Sequence, residues 1–594
     1  MLPVLSGRLE LQPPNQPVSF NGAPIYDAKR CAHLFNCQFT PHPMYARSRT
    51  SRRVYRKLRS LTTTVDDPGT TPGEVEAAIK SVKSSVALGP DQIASIHLKH
   101  LDRGGIEYLT GVLNLSFKSF QIPAIWKVGR VVPILKPGKS ADESKSYRPI
   151  ALLSPVAKIA EVIKNGELQR LLPFAAHQHG FRAGHSTSTA LSCIVHNIST
   201  GMNAPSPHDR TLLAALDLSS AFDTVSHEVL LNDILLSPLP NNTKRWLYAY
   251  LRGRSTYVEF RGQRSKYRRV KQGVPQGGVL SPALFNYYLS TLPTPPDDIQ
   301  VVSYADDITV MAQGKKPGPV CKHLSTYLDK IADWFQERNL ILSPAKSTVT
   351  LFTTWTKQMN RTWKVTMGGH TLPTNPRPKI LGVIFDKQLS FAPHARSTSE
   401  KVSQRNNILK KLTGATWGCC KEVLLQTYKA IGRSVLNYGA PIWSPLLSNT
   451  QWQGLQARQN QALRTSTGCL LMTSIPHLHH EAEMMEVRPH NELLSVQFYL
   501  GAHLPERPDH HTTNRPPPKQ RTIKETLWGK YRDDVEHLVF DGLNPVTYRE
   551  ALRSLHLTAV EEAISQYTPP LWPNNGHPDI SERRGSYPEK QGPP

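Results

Sequence analysis

Residues 302–310 read VSYADDITV. Two apolar runs, 299–304 and 308–311, are separated by three residues. The chain must reverse at once, and a tight two-stranded hairpin is the regular structure that turns in so little. Aspartate suits such a tip, because it tolerates unusual backbone angles and bonds its own backbone. Acidic turns are common, so the pair Asp306–Asp307 acquires a chemical meaning only if other stretches supply partners.

One candidate partner lies upstream. Residues 211–217, TLLAALD, read as a short buried strand that ends in Asp217. The surrounding stretch is ALDLSSAFDTVSH, with Asp223 six residues further on and not expected to be a ligand. A magnesium site for phosphoryl transfer needs carboxylates that do not move, and a strand end beside a hairpin tip provides them. Between the two stretches, GVPQGGVLSPALFNYYLS (273–290) is a glycine-rich turn feeding a helix. Such a turn lets a base or sugar approach the backbone closely.

The rest of the chain alternates helical and extended signals. Thr71, Pro72 and Glu74 form a helix start of the capping-box kind, with Val75, Ile79, Val82 and Val86 following at helical spacing. Helices are also expected over 186–203, 242–252 and 318–339. In the last, Val320, Leu324, Leu328, Ile331 and Phe335 make a core stripe. Residues 255–271 read as a basic hairpin, and 379–386, KILGVIFD, as a strand. Three helical segments are expected over 396–468, with breaks near 414–418 and 439–445. RPPPKQ at 515–520 and residues 569–580 read as poorly structured. HLHHEAE (477–483) is a histidine cluster better explained by packing or solvation than by metal, since no cysteine is near.

Charge points to a polyanion. Lys plus Arg is 71 against 46 for Asp plus Glu, a net +25, and nucleic acid is the first candidate partner. The charge recurs in blocks: residues 47–59 carry seven basic residues and no acid, and residues 252–271 carry eight against Glu259 alone. No apolar run reaches the length of a transmembrane helix, and the N-terminus lacks the pattern of a secretory signal. The seven scattered cysteines form no zinc spacing and suit an intracellular protein, in the nucleus or cytoplasm.

Taken together, KPGKSADESKSYRPIALLS, HGFRAGHSTSTAL, ALDLSSAFDTVSH, GVPQGGVLSP, SYADD, LSPAKS and KILGVIFD stand in one order. In that order the chain resembles the polymerase region of non-LTR (LINE-type, jockey-like) retrotransposons over roughly residues 70–470. The resemblance implies an α+β right-hand polymerase, with fingers, an antiparallel palm sheet and a helical thumb. Its implied divisions are 1–70 as a basic N-terminal linker, 71–210 as fingers and 117–386 as fingers plus palm. A helical thumb over 387–470 and a C-terminal extension, 471–594, complete them.

The resemblance also implies site roles. Asp217, Asp306 and Asp307 match the carboxylates that hold two Mg²⁺ ions, with Mn²⁺ a substitute. Phe222 matches the residue under the incoming sugar, where a ring excludes a ribose 2′-hydroxyl. Arg148, with Lys136 and Lys139, matches the triphosphate-holding element, and Gln276 the position near nucleotide and template. Lys346 matches a lysine that protonates the pyrophosphate. Tyr304 is expected to face the primer end, and Leu381–Gly382 to grip it.

The implied activity is RNA-directed DNA polymerisation on an RNA template from a DNA primer and dNTPs. The nuclease of such elements is expected to be separate or missing. The alternatives are a catalytically inactive nucleic-acid-binding remnant and an RNA-directed RNA polymerase, the latter disfavoured by Phe222.

Overall fold

The computed structural model describes residues 16–41, 49–62, 69–84, 87–359, 361–414, 418–502 and 507. Val86 and the segments 515–520 and 569–580 fall outside these residues.

The N-terminal elements are β1 (Val18–Phe20), β2 (Ala23–Ile25), the helix Ala28–Phe39 and the basic helix Arg49–Ser60. The capping box at Thr71 forms as the sequence dictates: Glu74 N donates to Thr71 Oγ1, and Thr71 N donates to the Glu74 carboxylate. The helix it starts runs Pro72–Ser81 and stops at Val82. Next come β3 (Val128–Leu135), β4 (Tyr147–Leu152) and the helices Pro155–Leu171 and Thr187–Asn203. β5 (Arg210–Leu216) follows, then the helices His227–Leu236 and Asn241–Leu251, then β6 (Ser255–Phe260), β7 (Gln263–Arg264) and β8 (Arg268–Arg269).

The helix Ser281–Leu289 leads into β9 (Ile299–Tyr304) and β10 (Asp307–Gly314), the helix Pro317–Glu337 and β11 (Thr348–Phe352). This is a mixed helix-and-sheet fold. No helix among the described residues is long and apolar enough to cross a membrane.

The central sheet is antiparallel, ordered β11–β5–β10–β9. Side chains along a strand alternate faces, and the alternation sorts the core into two. Leu212, Ala214, Leu216, Ile308 and Val310 join one cluster with Leu324, Leu328, Ile331 and Phe335 of the amphipathic helix. Leu213, Met311 and Val302 join another with Ile194, Ile198 and Met202 from the helix Thr187–Asn203. β5 is therefore covered on both faces, which explains its nearly unbroken apolar run.

The second sheet is built on β4–β3–β6. The expected basic hairpin is present, with β7 and β8 both pairing antiparallel to β6. β6 also runs parallel to β3, a pairing made across more than a hundred residues of chain. Residues within the segment expected as a linker pack here. Phe35 is fully buried, its ring 5.0 Å from Tyr147 and 5.2 Å from Phe260.

One expectation is corrected. KILGVIFD is not one strand. It forms Lys379–Ile380 and Val383–Ile384, folded back at Leu381 (φ 44°) and Gly382 (φ 88°). An apolar run hides a turn when one glycine supplies the left-handed conformation. The C-terminal helical region includes the helices Ala392–Lys410 and Asn449–Thr467. The helices Ile475–Glu481 and Val487–Ala502 extend it, and Leu478, Ala482 and Met484 share its core with Leu409 and Leu463. In the histidine cluster His477 and His480 are exposed, whereas buried His479 meets Asn460 Oδ1 at 2.9 Å and the Met484 carbonyl at 2.7 Å.

Candidate active site

The β9–β10 turn is as tight as the sequence demands, with Tyr304 paired to Asp307 across two connecting residues. The left-handed residue is Ala305 (φ 55°), not an aspartate. On the other side β10 pairs with β5 in the register Ile308↔Leu216. Extending that register by one residue sets Asp307 opposite Asp217, about 5 Å apart between Cα atoms for facing residues.

Asp217 is fixed by the loop before β11: its N–H donates to Ser347 Oγ (3.0 Å), and its carbonyl accepts from Ser343 N (2.9 Å). Lys346 in the same loop brings its Nζ to 3.4 Å from Asp217 Oδ2. These side chains keep 69% and 41% of their surface in solvent, so the pair is a loose one.

The three carboxylates sense one another. Burial, then the charge of Asp217, raises the Asp306 carboxyl above the usual range, while nearby Arg148 works the other way. Asp307 keeps solvent access, yet crowding protein atoms and the charges of Asp306 and Asp217 push it up to about 6.

A basic rim lies beside this acidic centre. Lys136 sits close enough to feel Arg148, Lys346 and Lys139, which together with burial lower its pKa. Its Nζ donates to the Lys145 carbonyl (2.9 Å), whereas Arg148 and Lys139 are exposed.

The PQGG turn closes a third side. Gln276 Nε2 donates to Asp223 Oδ1 (2.9 Å), and the Gln276 carbonyl accepts from Ala151 N on β4 (2.7 Å). Gly277 takes φ 132°, and a Cβ there would collide with the Ala151 carbonyl oxygen. Buried Glu161 accepts from Val279 N and Leu280 N, at 2.5 and 3.2 Å, fixing the turn from behind. Phe222 is half-buried and stacks on Phe285 at 4.5 Å. The Leu381–Gly382 turn is held by Tyr438 Oη donating to the Leu381 carbonyl (2.7 Å). Leu381 and Tyr304 pack against the same core cluster.

The sequence reading missed Gln178. Its side-chain Oε1 accepts from Ala305 N and Gly180 N, both at 2.8 Å, and its Nε2 donates to the Ala305 carbonyl (3.3 Å). Its only sequence signal was its place immediately before HGFRAG.

Residues 134–385 match the family described as reverse transcriptase (RNA-dependent DNA polymerase). The chain is 29% identical, over 428 residues, to the probable RNA-directed DNA polymerase from transposon BS of Drosophila melanogaster. That match covers 70% of this chain and 46% of the relative. It is 30% identical over 431 residues to the corresponding protein of transposon X-element, with the same shares. To the polymerase of mobile element jockey it is 25% identical, covering 73% and 47%. The chain carries a reverse transcriptase domain of the non-LTR retrotransposon kind. It spans about half the length of these curated relatives.

Reverse transcriptase domains use divalent metal ions. Among the described residues no group of three or more His, Cys, Asp or Glu side chains is arranged to hold a metal ion. The donor chemistry fits nonetheless. Asp217, Asp306 and Asp307 offer only oxygen, the ligand hard divalent cations take. A cation beside them would also relieve the crowding of negative charge that raises the Asp306 and Asp307 carboxyls.

Proposed function

We propose that the chain is an RNA-directed DNA polymerase that adds dNTPs to a primer 3′-hydroxyl on an RNA template. The observation that carries this reading is the sheet register Ile308↔Leu216, whose continuation by one residue would set Asp217 across from Asp307, next to the turn that holds Asp306. In this reading the antiparallel sheet is the palm, the β3–β4–β6 sheet belongs to the fingers and the C-terminal helices form the thumb.

Asp217, Asp306 and Asp307 would hold two magnesium ions, with manganese a substitute. Bound there, the ions supply Lewis acidity to the attacking hydroxyl and charge neutralisation to the leaving pyrophosphate. Arg148 presents a fork of donors to the triphosphate, and Lys136 adds a point charge beside it. Lys346, poised 3.4 Å from Asp217, is placed to give a proton to the pyrophosphate. Phe222 is held by its stack on Phe285 and bars a 2′-hydroxyl. Gln276 is anchored at both backbone and side chain and faces the nascent pair. Tyr304 and the Leu381–Gly382 turn contact the primer end.

Primer extension on an RNA template with Mg²⁺ tests the reading. Wild type extends with dNTPs and Asp306→Asn does not. Equal extension by both would reject the assignment of the site, and salt-sensitive RNA binding without extension would leave only a binding protein.

A further inference from the structure

The turn that carries Asp306 and Asp307 holds an alanine in a conformation that suits glycine. A left-handed backbone is unfavourable for a non-glycine residue, so something must hold Ala305 there. Two features do so. The segment 177–180 runs alongside β9, with His179 N donating to the Ser303 carbonyl and Ser303 N to the His177 carbonyl, both at 2.8 Å. Gly180 lies directly against the turn, where a Cβ would collide with Ala305 N. Asn286 fixes Gly180 from behind, its Nδ2 donating to the Gly180 carbonyl (2.7 Å).

From this rail the Gln178 side chain, 1% exposed, reaches Ala305 and uses both ends of its amide on that one residue. It satisfies the N–H and C=O that a two-residue turn leaves without strand partners. Its side-chain bonds go to backbone atoms of Ala305 and Gly180, so its effect on chemistry passes through the backbone. Ala305 directly precedes Asp306, and rotation at Ala305 re-aims both carboxylates.

We propose that Gln178 is a positioning residue, whose amide locks Ala305 in the left-handed conformation and thereby sets the aim of Asp306 and Asp307 at the divalent cation. This rests on the reading of those aspartates as metal ligands. The shape of the side chain explains why glutamine is needed. Glutamate would keep the acceptor for Ala305 N and Gly180 N but lose the donor to the Ala305 carbonyl. Leucine would fill the space and lose both.

Titration of the full chain with Mn²⁺, followed by electron paramagnetic resonance without nucleic acid, reads the effect apart from catalysis. Gln178→Leu should weaken Mn²⁺ binding about tenfold or more, as loss of a group that orients metal ligands does. Gln178→Glu should fall between it and wild type. Adding Ala305→Gly to Gln178→Leu should recover a good part of the loss, because glycine takes the left-handed conformation unaided. In primer extension the Mg²⁺ needed for half-maximal rate should rise while KM for dNTP stays nearly constant.

A folded Gln178→Leu protein that binds Mn²⁺ like wild type would overturn the proposal. So would a loss that Ala305→Gly leaves untouched. If Gln178→Leu fails to fold, Gln178→Glu with and without Ala305→Gly decides by the same criteria. Asp306→Asn is the control: if it binds Mn²⁺ as wild type does, the ligand assignment itself fails, and the role given to Gln178 fails with it. Weakened binding in Asp306→Asn beside unchanged binding in Gln178→Leu refutes the positioning role alone.

Discussion

Gly277→Ala should detach the PQGG turn from β4. Gly277 has φ 132°, a region that side chains rarely enter, and the new methyl would collide with the Ala151 carbonyl oxygen. The strained backbone costs about 1–3 kcal/mol. Relieving the collision means moving the turn away from β4, which stretches the 2.7 Å bond from Ala151 N to the Gln276 carbonyl. Losing that bond costs roughly another 1 kcal/mol. The local structure should therefore open about 2–4 kcal/mol more easily, and exchange of the Ala151 amide should speed up by roughly thirty- to a thousand-fold. Hydrogen exchange followed by mass spectrometry over residues 147–152 measures this. KM for dNTP should rise in parallel, because Gln276 moves with the turn. An unchanged Ala151 amide in the variant would refute the argument that glycine is required there by contact with β4.

Phe35→Ala should destabilise the protein by about 3–5 kcal/mol, read as a lowered thermal melting point, because the ring is fully buried among Phe20, Tyr147 and Phe260. Asp223 gives a pH signature. Burial raises its carboxyl from 3.8 to about 6, against the smaller effect of the Gln276 bond. The folded state thus prefers the protonated form, and this group's contribution is full below about 3.8 and lost as pH rises through about 6. Asp223→Asn, which keeps an acceptor for Gln276, should be more stable than wild type at pH 7.5, with the difference vanishing below about pH 4. Melting curves at the two pH values check this, and equal differences at both would count against it.

Much of this arrangement is legible in the sequence, for local reasons. The capping box at Thr71, the stripe from Val320 to Phe335 and the hairpin around Ala305–Asp306 are each set by residues a few positions apart. The strand ending at Asp217 is legible because a strand covered on both faces must be apolar throughout. What stayed hidden depends on distant partners. The conformation of Ala305 is enforced by Gln178 and Gly180, more than a hundred residues upstream. The parallel pairing of β3 with β6 leaves no mark in either strand, since both alternations suit an antiparallel partner equally well. The approach of Lys346 to Asp217 follows from the path of the loop before β11, which periodicity does not encode. KILGVIFD misled because apolarity signals burial, and a half-buried turn between buried Ile380 and Val383 is as apolar as a strand.

The central position of β5 bears on how the chain folds. Its residue Leu213 pairs with Met311 on one side and Thr350 on the other. Closing a loop of such length costs about 4 kcal/mol of chain entropy, and contacts this distant in sequence form slowly. During synthesis β5 leaves the ribosome well before either partner and waits with both edges unpaired. An apolar strand in that condition invites association with other nascent chains. Demand for chaperones should therefore be greatest between the emergence of Leu216 and that of Phe352, the interval in which β5 lacks one or both of its strand partners.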